Sequence, residues 1–266
     1  MKEHISPRYL RKYSFQGSKV QKKTAKNVIA LLKKTLLTTD EALNVISEQL
    51  NMSKFDIGFA GLKDKHAITE QYITIPKNKF KNIKSKNLEL TKISETNNKL
   101  SPGDLVENEF IITLHATIKP KEMLFMPNYF GFQRFGIHKD NHIIGKKILL
   151  GKNKTHMEKK MKKFLIHAYQ SYLFNEMLDQ YQKNNKPITK QVPIIGCNTK
   201  LGSDTVSKIY KQILKKEKIK ISDFDIKDTR MKCIGSSRAL FVKPKDFEFK
   251  PLKDKTELHF SLPKGS

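Results

Sequence analysis

The sequence predicts an α+β protein built on a mixed or antiparallel sheet. Three observations carry that prediction. A strand-like run is followed by a capped amphipathic helix and then by three more strand-like runs. The second half changes to long helical patterns, and two strand-like runs close the chain. At 266 residues, with 38% hydrophobic and 29% charged side chains, the chain can bury a core in one or two domains.

Taken in order, residues 1–36 are too polar to pack until Val28-Ile29-Ala30-Leu31-Leu32, which predicts a strand. Thr38-Thr39-Asp40-Glu41 has the Thr-x-x-Glu spacing of a capping box. The helix it opens places Ala42, Leu43, Val45, Ile46 and Leu50 on one face and stops near Asn51. Ile57-Gly58-Phe59-Ala60-Gly61 is apolar but broken by two glycines, so its backbone must turn or be closely approached. Residues 72–75, 88–93 and 109–118 predict strands, the last with Phe110, Ile112 and Leu114 alternating. From about residue 142 two long helical patterns follow. The stronger, 157–181, has an apolar stripe of Met161, Phe164, Leu165, Ala168, Tyr172, Leu173 and Leu178. Lysines 159, 160, 162 and 163 crowd its positive end, where an anionic partner would relieve them and solvation would serve as well. A further helix is expected over 203–218, and strands over 239–242 and 258–262.

The charge balance is the strongest compositional feature: 52 Lys and Arg against 26 Asp and Glu leave +26. Only Arg8, Arg11, Arg134, Arg230 and Arg238 are arginine. Such a field attracts polyanions, above all nucleic acid, although a lysine bias of the whole proteome would give any protein the same excess. No apolar run approaches the roughly 18 residues of a spanning helix, and the N-terminus leads into no signal-like stretch. Cys197 and Cys233 form no Cys-x-x-Cys arrangement, which points away from zinc or a disulfide framework and toward a reducing cytoplasm.

Phosphate-loop, dinucleotide and nucleophile-elbow motifs are missing from the sequence. His138 and His142 have a four-residue spacing that could hold a metal on a helix face, but Gly136, Asp140 and Asn141 around them favour a turn and no third ligand accompanies them. Two segments stand out. In Gly58-Phe59-Ala60-Gly61-Leu62-Lys63-Asp64-Lys65-His66-Ala67-Ile68-Thr69-Glu70-Gln71, an acid sits between lysines in a glycine-punctuated loop. Flanking positive charge favours the carboxylate form, suited to a nucleophile; a solvated turn acid fits the same residues. Pro127-Asn128-Tyr129-Phe130-Gly131-Phe132-Gln133-Arg134-Phe135-Gly136 gathers four aromatics, an Asn and a Gln, and a rare arginine. Aromatics stack on unpaired bases, amides read base edges and arginine holds phosphate, although a packed core segment has similar content.

Together these segments resemble the signature of the TruD family of tRNA pseudouridine synthases, approximately F-A-G-x-K-D-K/R-x-A-x-T-x-Q followed by V-P-N-Y-F-G-x-Q-R-F-G. Residues 59–71 and 127–136 match both at nearly every place. Similarity extends to Asn108-x-Phe110, to 167–175, to the stretch from Gly235 through Arg238 to Pro244, and to 260–266. The resemblance implies isomerisation of a D-arm uridine of tRNA, position thirteen, to pseudouridine. A single catalytic aspartate carries it, and it falls on Asp64. Asn128 and Phe130 match positions that contact the substrate or shape its pocket. Lys63 and Arg134 are the expected partners of carboxylate or phosphate, and Gly58, Gly61 and Gly131 are expected to permit close approach. No metal, nucleotide or organic cofactor is implied, because the atoms lost and gained belong to one nucleotide. A cytoplasmic monomer with tRNA as partner is expected.

By the same resemblance, the fold is the pseudouridine-synthase sheet with a smaller inserted α/β domain. The implied boundaries are 1–150 for the first part of the catalytic domain, 151–234 for the insertion and 235–266 for the closing strands. The family's opening Lys-x-x-Pro-x-x-Phe is not matched around Pro7, where His4 and Leu10 stand, and this sequence stops at Ser266, before the place of the family's pocket-lining aromatic after Pro-x-Gly-Ser. Those departures motivate an alternative: a tRNA-binding protein or chaperone that keeps the fold without the activity.

Overall fold

The computed structural model describes residues 1–5, 25–118, 125–152, 156–226 and 231–266, so Leu10 and Pro7 lie outside the described residues, as does the side chain of His4. The chain divides into two compact units, Met1–Glu122 with Pro244–Gly265, and Met123–Lys243. By contacts, therefore, residues 123–150 and 235–243 group with the segment expected as the insertion.

The first unit runs β1 (Lys2–Ile5), β2 (Asn27–Thr35), α1 (Thr39–Gln49), β3 (Gly58–Phe59), β4 (Ile68–Pro76), β5 (Ile83–Ser85), β6 (Leu88–Thr96) and β7 (Leu105–Leu114). The second contains β8 (Met126–Pro127), α2 (Asn141–Leu149), α3 (Lys159–Asn184), β9 (Gln191–Ile194), α4 (Thr205–Glu217), β10 (Asp225–Ile226), β11 (Met231–Lys232), β12 (Ser236–Ala239) and β13 (Phe241–Val242). The chain then returns to the first unit as β14 (Lys245–Pro251) and β15 (Thr256–Pro263).

In the first unit the strands form one nine-stranded sheet in the order β14-β15-β7-β1-β4-β2-β6-β5, with β3 also on β4. Only β1 with β4 is parallel, so the predicted mixed sheet is the one formed. The capping box at Thr38 and Glu41 forms as expected. Ala42, Leu43 and Ile46 of α1, with Leu50 just after it, join Val28, Ala30, Leu32, Ile73, Ile75 and Leu90 in one core. Strand alternation puts Ile29 on the opposite face, with Ala60 and Leu100. Phe110, Ile112 and Leu114 alternate on β7 but stay partly or fully exposed, because α1, the one α-helix described in this unit, packs on β2, β4 and β6. Phe110 instead stacks on Phe260 across the sheet at 5.4 Å.

In the second unit α3 is the core helix, surrounded by residues of α2, α4, β9 and β13. Its expected apolar stripe is corrected at the N-terminal end. Met161 and Phe164 are exposed, since packing begins at Leu165, while Ile166, Tyr169, Phe174 and Met177 broaden the buried surface beyond one stripe. Lys159, Lys160 and Lys163 are exposed there as well. The strand predicted over 239–242 is two strands. β12 pairs with β9 and β13 with β8, the direction changing at buried Leu240. Among the described residues no helix is long and apolar enough to cross a membrane.

Candidate active site

The Asp64 loop leaves the sheet at β3 and re-enters it at β4, and its start is fixed by Gly58. A Cβ there would lie 2.3 Å from Thr74 Oγ1 and 2.5 Å from the Leu100 carbonyl oxygen, closer than any side chain tolerates. Gly131, expected to play a similar role, faces open space, and Gly61 would gain only ordinary contacts.

Both lysines beside Asp64 are tied to other elements. Lys63 is buried; its backbone N–H donates to Thr39 Oγ1 at 2.8 Å and its ammonium to Asn108 Oδ1 at 2.6 Å. Thr39 donates in turn to Gln71 Oε1 at 3.1 Å, and Gln71 donates to the Gly61 carbonyl at 3.2 Å. The loop, the first turn of α1 and β4 thus share one hydrogen-bonded chain. Lys65 pairs with Glu41 at 2.8 Å, the same carboxylate that accepts the Thr38 N–H in the capping box. From beneath, the ammonium of wholly buried Lys34 donates to the carbonyls of Leu37, Lys63 and Asp64. Asp64 itself sits on the exposed side of this scaffold.

Glu41 therefore has two tasks. The Lys65 hydrogen bond first, and then those of Thr38, hold its carboxyl down at about 2, against 4.5 for an ordinary glutamate. A depressed carboxylate contributes stability that is fully present above pH 4.5 and lost as pH falls through about 2. Glu41→Gln is expected to flatten acid unfolding across that window, as followed by circular dichroism; an unchanged acid limb would contradict the tether.

In the second unit the aromatic segment closes around Phe130. The Phe130 N–H donates to Asn175 Oδ1 at 2.9 Å, and Asn175 Nδ2 donates back to the Phe130 carbonyl at 3.0 Å. The Arg238 guanidinium lies 4.1 Å from the ring centroid, that of Arg134 5.4 Å, and Phe174 meets the ring edge-on at 5.6 Å. Every other described Lys or Arg position is lysine, so both described arginines converge on this one ring. Burial pushes both guanidinium groups down. Arg238 reaches about 10, with the Arg134 charge as second cause.

Asn128 is buried, and its side chain ties the segment to the end of β12. Nδ2 donates to the Ala239 carbonyl at 3.0 Å, while Oδ1 accepts from Arg238 at 2.6 Å. Arg238 also donates to the carbonyls of Asn128 and Tyr129. His142, weighed above for metal, instead stacks on Tyr172 at 4.7 Å and meets Phe135 edge-on, and burial lowers its pKa. The structure thus gathers Lys63 and Asp64 in one unit and Asn128, Phe130 and Arg134 in the other. Motif reading missed Lys34, Thr39, Glu41 and Arg238 as parts of these arrangements; for Arg238 the scarcity of arginine was an available signal.

A mixed sheet carrying a lysine-tethered aspartate loop, joined in sequence to a helical unit with an arginine–aromatic cluster, defines the class: an α+β protein with a predominantly antiparallel sheet. A solved structure assigned as tRNA pseudouridine synthase D (TruD) of Methanosarcina mazei has that fold, with a TM-score of 0.72 at 20% identity over 100% of this chain and 88% of its own. The family model for tRNA pseudouridine synthase D (TruD) matches residues 10–157 and 181–266, and the chain belongs to that family. Among curated relatives, tRNA pseudouridine synthase D of a Nitratiruptor species is 40% identical over 185 residues, 63% of this chain and 49% of its own. That of a Helicobacter pylori strain is 36% identical over 184 residues, 62% and 48% respectively. The chain spans about half the length of the curated relatives it matches.

Proposed function

We propose that this chain isomerises a uridine in the D-arm of tRNA, position thirteen, to pseudouridine, with Asp64 as the reacting carboxylate. The N1–C1′ bond breaks, the uracil turns and a C5–C1′ bond forms; C5 gives up a proton and N1 gains one. The reaction balances within one nucleotide, so the proposal calls on no cofactor. The observation that carries it is the Asp64 loop. Lys63, Lys65 and Lys34 fix its backbone to α1 and the sheet while Asp64 stays on the exposed side. A loop so constrained holds one carboxylate in a set position, which a solvated turn acid does not require.

The target base must leave its stack to meet that carboxylate. In the second unit we assign tRNA contact to Phe130, a ring that can stack on a base, and to Arg134, whose charge a phosphate would offset. Lys63 orders the loop through Asn108, and Asn128 shapes the aromatic segment. The net charge of +26 suits a polyanion, tRNA is the proposed partner, and a cytoplasmic monomer is the proposed form.

The test is incubation with an unmodified tRNA transcript, followed by mapping of pseudouridine. Product at position thirteen is expected. Binding with no product would leave only the tRNA-binding or chaperone reading. Phe130→Ala is expected to lower turnover about tenfold or more while tRNA affinity changes less than about threefold, since phosphate contacts dominate affinity. Equal losses in both would remove Phe130 from the base-contacting role.

A further inference from the structure

Lys34 is the most unusual charged residue in the first unit, and no motif draws attention to it. It lies near the end of β2, on the face that carries Val28, Ala30 and Leu32, where strand alternation would place another apolar side chain. Its neighbours across the sheet are Thr69 on β4 and Leu88 on β6, both buried. The residue is 0% exposed. A lysine in such a place is costly unless its ammonium is fully engaged. Here it is engaged by backbone alone. Nζ donates to the Leu37 carbonyl at 2.6 Å, the Asp64 carbonyl at 3.0 Å and the Lys63 carbonyl at 3.3 Å.

Those three acceptors come from two segments: the turn that enters α1, and the two loop residues at the reaction centre. An ammonium has three N–H donors and no acceptor, so this set uses its whole capacity. We propose that Lys34 is a positioning residue for the pseudouridylation reaction, its buried ammonium clasping the Lys63 and Asp64 carbonyls so that the Asp64 carboxylate is held in the reactive position. The proposal rests on the reading of Asp64 given above and extends it to a residue that touches neither tRNA nor the reacting atoms.

A neutral amine offers only two N–H groups to three carbonyls, so the clasp weakens when Lys34 loses its proton. Burial lowers the pKa of Lys34 from the ordinary 10.5. Asp64 and then Glu41 oppose that shift, and Lys63 adds to it. The clasp should therefore loosen below the pH at which solvent-exposed lysines titrate.

Two measurements test this. Lys34→Met keeps an unbranched side chain in the slot and removes the ammonium. In the folded variant, kcat is expected to fall about 10²-fold, with KM and tRNA affinity held within about threefold. A kcat within about threefold of the parent, or a proportional loss of tRNA affinity, overturns the proposal. The second measurement uses the parent protein and does not depend on the variant folding. The Lys34 side chain and the methyl groups of Ala67, Ile68, Ala42 and Leu43 are followed by NMR against pH. The Ala67 and Ile68 methyls are expected to move in step with Lys34 below pH 10.5, while Ala42 and Leu43 in α1 stay fixed. Loop methyls indifferent to the Lys34 titration overturn it. A parent that makes no pseudouridine would defeat the reading of Asp64 alone, and the methyl titration would still report whether Lys34 holds the loop.

Discussion

Asp64→Ala is expected to reduce pseudouridine formation by about 10³-fold or more, because the variant lacks the one carboxylate assigned to the chemistry. tRNA affinity should stay within about threefold, since phosphate contacts dominate the affinity of nucleic-acid-binding proteins generally. The fold should persist too. Hydrogen bonds that run through the backbone of Lys63 and Asp64 and the side chains of Lys34, Lys63 and Lys65 keep their donors and acceptors in the variant. Thermal unfolding, filter binding and quantitative pseudouridine mapping on one preparation separate these outcomes. Product at the parental rate would take the reaction away from Asp64.

The second large effect is expected at Arg238. Its guanidinium donates to Asn128 Oδ1 at 2.6 Å, to the Asn128 carbonyl at 2.8 Å and to the Tyr129 carbonyl at 3.1 Å, and it covers the Phe130 ring. Arg238→Met leaves the buried Asn128 acceptors without this donor. The expected cost is about 3 kcal/mol, from stranded acceptors and the lost cation–π contact. Arg238→Lys should recover little of it, because a single ammonium cannot reproduce a planar fork that bonds and stacks at once. Chemical denaturation gives the measurement. A loss below about 1 kcal/mol in Arg238→Met, or full recovery in Arg238→Lys, would contradict the assignment.

Local patterns were legible where a single element decides the outcome. Thr38 and Glu41 announce the start of α1 because a capping box is local chemistry. The 72–75 and 88–93 strands were also found, each three or more residues short of its observed C- or N-terminal extent. The alternation of Phe110, Ile112 and Leu114 marks a strand but says nothing of burial, which depends on what covers the sheet. Residues 239–242 looked like one strand; pairing partners far away in sequence, β9 and β8, split it into two.

The sequence alone determined the α+β class, the basic character, the two motif segments and, through them, the family. Each follows from residue identity or short spacing, which do not depend on how distant parts of the chain meet. Tertiary structure decided how Asp64 is held. Lys34 is 30 residues from Asp64 in sequence and Asn108 is 45 from Lys63, and sheet register brings each pair together. It likewise placed Arg238, 110 residues from Asn128, against the aromatic segment. The +26 charge predicted a polyanion partner. Which basic groups are buried to position a loop or a ring, and which remain on the surface for that partner, is a matter of desolvation and long-range pairing, and only the fold supplies those.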